Sequence, residues 1–456
     1  MEKSGSLYDT IKSRGLKYYI NTYGCQMNAH DSEKLGGMLY DMGFAQAANA
    51  GEADMIVFNT CCVRENAEMK IFGNVGALRQ KKHENMIIAV CGCMMQQKPV
   101  AEKIFRMFPF VDIVFGTNNM HKLPDMIYRA VIEKERTILV EDDNGGDIVE
   151  DIPARRNEPP LASVNIMHGC DNFCSYCIVP YVRGREKSRA PEKIIAEVNS
   201  LVEAGYKEVL LLGQNVNSYG KNTDTDFPGL LERIVGETSM ERIRFMTPHP
   251  KDVSDRLIEV VAKNSRVCSH IHLPVQSGSD RVLAAMNRKY TRESYFALVD
   301  KIRETIPGVV FSTDVIVGFP GETEEDFCDT MELMERVAFD SAYTFVYSPR
   351  AGTKAAKMED QVKAEDKQSR IVRLVALQNR LTWESNKRDV GKHERVLVES
   401  TSRRDTGCVC GRTDGGKMVN MPGGAELIGR FVEVVITEAK KTTLFGGIVD
   451  GDTEDR

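Results

Sequence analysis

Three cysteines, Cys170, Cys174 and Cys177, lie close together in the string GCDNFCSYC. Their spacing is C-x3-C-x2-C. A tight set of three thiolates, not four, suits an iron–sulfur cluster in which one iron has no protein ligand. The open iron is the chemical point. A substrate or cofactor can bind there, just as a catalytic zinc keeps one position free. The spacing alone also admits a structural zinc with His168 as fourth ligand, or a buried group of cysteines.

A second set is dispersed. Cys25 sits in YGCQMN, Cys61 in NTCCVREN and Cys93 in CGCMMQ, each just after a short apolar run. Neighbouring strand ends would bring the three together as another thiolate site. The other reading is that they are small buried residues near strand ends, common for free cysteine.

The elements that must position these groups follow from periodicity. KYYIN (17–21), DMIVFN (54–59), NMIIAV (85–90) and VDIVFG (111–116) read as strands. Helices are expected from Asp31 to about Met42, with Asp31 or Ser32 as N-cap, over 64–82, and near 120–131. Short apolar strands alternating with helices predict an open parallel α/β sheet, whose ligands gather at the carboxyl ends of strands. Residues 140–160 are acidic, then Gly- and Pro-bearing, and read as a linker. From 161 to about 348 the alternation returns, with strands at 163–167, 208–214, 242–246, 269–275, 309–318 and 342–347. Helices are expected between them, for example at 191–204, 251–263, 291–305 and 323–337, with Thr323 as an N-cap after the GFPGET turn. Six strands are too few for a closed eight-stranded barrel. A long helix over 361–388 is followed by short alternating strands at 395–400, 408–412, 417–420, 431–437 and 443–449. These predict a small antiparallel β-barrel with Cys408 and Cys410 in its core.

The net charge of −6 gives no global attraction for nucleic acid, so any RNA contact must rest on local basic patches. No apolar run approaches the roughly 18 residues of a membrane span, and the polar start lacks a signal-peptide core. The chain reads as cytoplasmic, where its 12 cysteines are metal ligands and buried thiols rather than disulfides.

The string CDNFCSYCIVPYVRGREKSR, with Tyr176 before the third cysteine, resembles the radical S-adenosylmethionine (SAM) enzymes and, within them, the methylthiotransferases that modify tRNA. NTYGC, NTCCVR and GCM are similar to that family's N-terminal motifs. The resemblance covers nearly the whole chain, from about Lys17 to Val449. It implies two [4Fe–4S] clusters. One is held by Cys170, Cys174 and Cys177, where SAM is cleaved to a 5′-deoxyadenosyl radical. The other, auxiliary cluster is held by Cys25, Cys61 and Cys93, leaving Cys62 and Cys91 to pack. It also implies a partial (β/α)6 barrel between the two outer domains, and an OB-like RNA-binding TRAM domain at the end.

The implied domains are a tail (1–15), an N-terminal domain (16–139), the linker (140–160), the radical SAM domain (161–388), the TRAM domain (389–450) and a tail (451–456). Polar residues at the barrel's strand ends, among them Asn215, Asn217 and His272, favour a site there. The resemblance makes it a SAM site, with Tyr176, Gln214, His249, Gln276, Ser312 and Asp314 as candidates and Ser312 or Asp314 reaching the ribose. Arg183, Arg185 and Arg189, with Lys187 and Lys193, form a basic run beside the cluster motif. With Arg412 and Lys417 of the small barrel, these three arginines are the candidate RNA contacts.

GQNVNSYG (213–220) and YVRGREKSR look like the branch that methylthiolates C2 of N6-isopentenyladenosine. Relatives act on threonylcarbamoyl-adenosine or on an aspartate of a ribosomal protein. A non-catalytic RNA-binding iron–sulfur protein is the reading from another class. The expected partners are a tRNA anticodon stem-loop, an electron donor such as a flavodoxin or ferredoxin, and a sulfur donor. The chain is expected to be a monomer away from membranes.

Overall fold

The computed structural model describes residues 2–62, 65–142, 148, 150, 152–156, 158–221, 223–403 and 405–449. The chain divides into two units. The first comprises Met1–Asn157, His168–Asp171 and Cys177–Lys187, and the second holds the remainder.

The first unit is built on strands β1 (Lys17–Thr22), β2 (Ala45–Gln46), β3 (Met55–Thr60), β4 (Ile87–Gly92), β5 (Ile113–Phe115) and β6 (Thr137–Leu139). All pair in parallel in the order β2-β1-β3-β4-β5-β6. The central strands β3 and β4 are buried along their whole length, which is why they read as unbroken apolar runs. The two strands absent from the sequence reading are two and three residues long, too short to show a period. Residues expected to be a tail form a helix, Glu2–Ser13. Leu7 and Ile11, one turn apart, bury beside Tyr18, Leu39 and Phe44, and that narrow apolar stripe suffices because a core receives it. In the expected linker, residues 152–156 are packed. Gly37 lies so close to the Pro153 carbonyl that a Cβ would sit 2.2 Å from it, and Arg155 N–H donates to Glu33 O (2.8 Å). The expected C-terminal tail, 451–456, lies outside the described residues.

The second unit contains β7 (Leu161–Asn165), β8 (Glu208–Leu212), β9 (Arg242–Phe245), β10 (His270–His272), β11 (Val310–Val317) and β12 (Ser341–Val346). Two parallel ladders, β9-β8-β7 and β10-β11-β12, are linked by a parallel bridge between Ile243 and Val267. The six strands thus follow one another in chain order as a partial barrel, with helices between them. One of these is Phe227–Glu237. Val209, Ile243, Phe311 and Val315 face outward onto the helices, together with Leu374 and Leu377 of the long helix Ala364–Lys387. Their alternates Arg242, Arg244, His270, His272, Ser312 and Asp314 share the opposite, inner face. Thr323 caps its helix as expected, in a capping box with Asp326.

The chain ends in a closed barrel of β13 (His393–Thr401), β14 (Cys408–Thr413), β15 (Met418–Pro422), β16 (Phe431–Ala439) and β17 (Leu444–Ile448). Its pairings are antiparallel except β15–β17, which closes it in parallel. Cys408 and Cys410 are not core residues. Val409, Gly411 and Thr413 take the buried side of β14, so the period of two turns both cysteines outward.

Arg242 ties this barrel to the larger one. Its buried guanidinium pairs with Glu208 (3.3 Å) and Asp414 (2.7 Å), donates to Arg412 O (2.9 Å), and stacks on Phe431. Arg242→Ala is expected to destabilise the protein by about 3–5 kcal/mol, because it removes a buried guanidinium from Glu208 and from the carbonyls of Arg412 and Arg395. Denaturant unfolding checks this.

Candidate iron–sulfur sites and the barrel interior

The first thiol site is built where β1, β3 and β4 end. Gly24, at φ 132°, lies against Cys61, whose Cβ would be 2.5 Å from any Cβ at that position. Gly92, at φ 99°, lies as closely against Asn59 and Thr60. Only glycine fits either place, and this is the physical content of YGC and CGC. The following helix spans Gln26–Asp41, starting earlier than the Asp31 or Ser32 cap expected, with Cys25 itself at the N-cap. Asn28 and Asp31 are therefore buried inside the helix. Asn28 Nδ2 donates to Thr60 O (2.9 Å), and its Oδ1 lies 3.6 Å from Cys25 Sγ and 3.7 Å from Cys93 Sγ.

Arg183 completes this site. Its Nε donates to Cys93 Sγ (3.2 Å), and its Nη2 pairs with Asp31 (2.6 Å). The structure thus moves Arg183 from the expected RNA contacts to a buried position beneath the thiols. A hydrogen bond with Cys61, then Asn28 and the charge of Arg183, hold the Cys25 thiol down to about 6. A hydrogen bond with Cys62, aided by Arg183, lowers that of Cys93, while Cys62 is pushed well up as the proton's keeper. Cys62 therefore packs and also donates to a neighbour. Cys91 is simply buried.

Cys25 and Cys93, lowered first by hydrogen bonds from neighbouring thiols and then by the charge of Arg183, are thiolate donors of the kind an iron–sulfur cluster takes. Among the described residues no three His, Cys, Asp or Glu side chains gather as they would around a single metal ion. A four-iron cluster instead takes each thiolate on a separate iron. Arg183→Gln is expected to reduce the iron held after reconstitution by up to about half, the share of one of two clusters. Iron content equal to wild type would deny Arg183 this role.

The C-x3-C-x2-C loop contributes residues to each unit, and each part has its own partners. In the first, Cys170 N–H donates to Gly184 O (3.2 Å), and Asp171 pairs with Arg185 (3.0 Å). In the second, Asn287 donates to the carbonyls of Asn172 (3.1 Å) and Phe173 (3.0 Å), and Ser175 Oγ donates to Ala285 O (2.7 Å). Buried Arg288 lies 3.5 Å from Cys174 Sγ and donates to Pro274 O (2.8 Å). It also bonds Tyr290 (2.9 Å), whose ring meets that of His249 at 5.8 Å. Arg288 and Tyr290 were not singled out by sequence reasoning. NRKY carries no spacing signal, and a lone arginine reads as surface.

The SAM candidates fall into groups. Ser312 Oγ bonds His270 Nε2 (2.8 Å) and His272 Nδ1 (2.9 Å), and His272 Nε2 lies 3.5 Å from Asp314. Gln276, strained at φ 70°, accepts through its carbonyl from Ile316 N–H (2.9 Å) and donates to Asp314 O (2.8 Å). Burial, with the charges of Arg288 and Lys251, holds His249 down to about 2, so its ring is neutral. Its Nδ1 accepts from Lys251 N–H (3.3 Å). Tyr176 packs against the buried cluster that holds Phe319 and Tyr347. Gln214 is half-buried just beyond β8, and Asn215 bonds both Asp252 (2.7 Å) and His249 N–H (3.2 Å).

Two more RNA candidates change role. Buried Arg189 pairs with Glu197 (2.7 Å) and donates to Asn165 O (2.7 Å). Lys417 pairs with Asp389 (2.6 Å) and Ser385 (2.7 Å) beneath the small barrel. A basic side chain with a distant acidic partner cannot be told from a surface one in sequence. Arg185 is exposed and Arg412 half-exposed beside Glu399, so both remain reachable.

Three family models match the chain: the Radical SAM superfamily over residues 164–334, Uncharacterized protein family UPF0004 over 17–116, and the TRAM domain over 387–449. In fold the chain is similar to the radical S-adenosylmethionine methyltransferase TsrM from Kitasatospora setae, described with cobalamin and a [4Fe-4S] cluster bound. That match has a TM-score of 0.56 at 15% identity and covers 75% of this chain and 74% of that one. It is also similar to the cobalamin-dependent radical enzyme OxsB, with a TM-score of 0.52 at 12% identity, covering 81% and 57%.

Among curated relatives is the tRNA-2-methylthio-N(6)-dimethylallyladenosine synthase of Thermoanaerobacter pseudethanolicus. It is 50% identical over 443 residues, 96% of this chain and 94% of that one. Those of Caldicellulosiruptor saccharolyticus and Clostridium botulinum are 51% and 52% identical, over 98% and 94% of this chain and 96% of each relative. With about half of all positions shared over nearly the whole length of each chain, one assignment remains: the chain belongs to the tRNA-2-methylthio-N(6)-dimethylallyladenosine synthase family.

Proposed function

We infer that this enzyme transfers a methylthio group to C2 of N6-dimethylallyladenosine (isopentenyladenosine) beside the anticodon of tRNA. The observation that carries the reading is the pair of thiol groups, each with a buried arginine at one of its sulfurs. Thiols at three adjacent strand ends lie over Arg183, in a chain that also holds C-x3-C-x2-C against Arg288. Methylthio transfer needs a place to hold sulfur as well as a place to make a radical. Two [4Fe–4S] clusters and SAM supply, when bound, one-electron reduction, a methyl group and sulfur.

The chain's own residues hold and orient these groups. Cys25, Cys61 and Cys93 would ligate the sulfur-bearing cluster, and Cys170, Cys174 and Cys177 the cluster that meets SAM. Tyr176, Gln214, His249, Gln276, Ser312 and Asp314 are assigned to the SAM side of the barrel, and Arg185 and Arg412 to RNA. The functional division follows the chain: residues 16–139 hold sulfur, 161–388 make the radical, and 389–450 bind RNA. The partners proposed beyond tRNA are a flavodoxin- or ferredoxin-like reductant and a sulfur donor, for a monomer working in the cytoplasm. Among the described residues no helix is long and apolar enough to cross a membrane.

The test offers dimethylallylated, unmodified and threonylcarbamoylated anticodon stem-loops side by side and quantifies methylthio products. The apolar dimethylallyl group offers several CH2 equivalents for burial, at about 0.8 kcal/mol each before binding costs. The unmodified RNA is therefore expected to react slower by on the order of a hundredfold. Preference for the threonylcarbamoyl substrate would move the enzyme to the neighbouring branch.

A further inference from the structure

Strand β12 departs from the pattern of its barrel. Tyr343 and Phe345 lie on one face of it, yet they are 54% and 39% exposed. No other strand of this barrel leaves two aromatic side chains exposed among the described residues. A structural strand in an α/β fold buries such residues. Here the outer face is already supplied by Ala342, packed with the helices. The parallel register sets Tyr343 beside Asp314 and Phe345 beside Ile316. The Tyr343 ring meets His272 edge-on at 6.0 Å, so the two aromatics share the inner face with the His272–Asp314 pair. At the other end of the column, Ile316 packs against the same buried cluster, around Phe319 and Tyr347, as Tyr176, the residue just before Cys177. An open aromatic wall thus runs from a polar pair to the SAM-cleaving motif within one unit.

We propose that Tyr343 and Phe345 are the platform for the target base, and that they set specificity for its dimethylallyl group. This rests on the function inferred above. A base to be modified at C2 must leave its stack, and a purine face removed from its neighbours is best received by an aromatic face. The dimethylallyl group is apolar and needs a wall that water has not claimed. The wall's border is polar, as recognition of a purine edge requires, where the His272 ring meets Tyr343. The alternative modification, threonylcarbamoyl, carries a carboxylate, which a hydrophobic wall next to Asp314 disfavours.

Equilibrium binding of dimethylallylated and unmodified anticodon stem-loops, at one fixed salt concentration, tests the platform without depending on turnover. The wild-type protein is expected to prefer the dimethylallylated RNA. Tyr343→Ala should weaken that binding by on the order of tenfold, and the Tyr343→Ala/Phe345→Ala double variant should bring the preference to near unity. Tyr343→Phe should restore it, since the ring and not the hydroxyl stacks. Tyr40→Ala, at an equally exposed tyrosine on the helix Gln26–Asp41, serves as control and should change nothing. Iron content and the thermal unfolding midpoint of each variant separate lost stacking from lost folding. Retention of the wild-type preference by a folded double variant would overturn the proposal while leaving the function intact. A wild-type protein that makes methylthio product only from threonylcarbamoylated RNA would overturn the functional reading, and the platform with it.

Discussion

The Cys25→Ala/Cys61→Ala/Cys93→Ala variant is expected to keep about half the iron of the wild-type protein, to cleave SAM still, and to insert no sulfur. The reasoning is local. Gly24 and Gly92 bring the three strand ends close, Asn28 lies between Cys25 and Cys93, and Arg183 stabilises negative charge there. The variant removes the thiols of all three strand ends and leaves Cys62 without the partner it bonds, Cys93, while Arg183 and Asp31 still neutralise one another and keep the unit folded. SAM cleavage draws on Cys170, Cys174 and Cys177, which the variant leaves untouched. Iron analysis and 5′-deoxyadenosine formation with reductant present measure both halves of the claim. Iron equal to wild type would make the N-terminal cysteines structural.

The second large effect is at Cys174. Cys174→Ala should abolish 5′-deoxyadenosine formation. A cluster with an open iron depends on three protein ligands, and losing one leaves two. The neighbourhood is specific to a thiolate: Arg288 is aimed at the sulfur and is otherwise committed to Pro274 and Tyr290. Reconstitution with iron, sulfide and reductant removes incomplete loading as a cause. Full SAM cleavage by the reconstituted variant would refute the assignment of this cysteine.

The sequence made the cysteines legible because their chemistry is written at short range, in fixed steps or in motifs with a glycine that close approach demands. The strand runs were legible for a similar reason, since burial on both faces leaves them apolar. What failed was long-range pairing. Arg183 stands in a basic run and reads as an RNA contact, but its partner Asp31 is 152 positions away. Lys417 misleads in the same way, its partner Asp389 being 28 positions distant. The helix at Gln26 was placed late because Asp31 looks like a cap, whereas Asp31 is spent inside the helix on Arg183 and a cysteine takes the cap position. Cys408 and Cys410 share a face, as alternation requires, but alternation cannot say which face is inside. Arg288 left no trace at all. Its role depends on the fold delivering one arginine to one sulfur.

The central claim is that this chain places a methylthio group on C2 of dimethylallyladenosine in tRNA. The most direct measurement is mass spectrometry of tRNA nucleosides from a strain lacking the enzyme, complemented by the wild-type chain or by Cys174→Ala. The expected result is that 2-methylthio-N6-dimethylallyladenosine disappears on deletion while N6-dimethylallyladenosine accumulates, and that the wild-type chain restores it and Cys174→Ala does not. An unchanged level of the methylthio nucleoside in the deletion strain, or a loss confined to the threonylcarbamoyl nucleoside, would contradict the account.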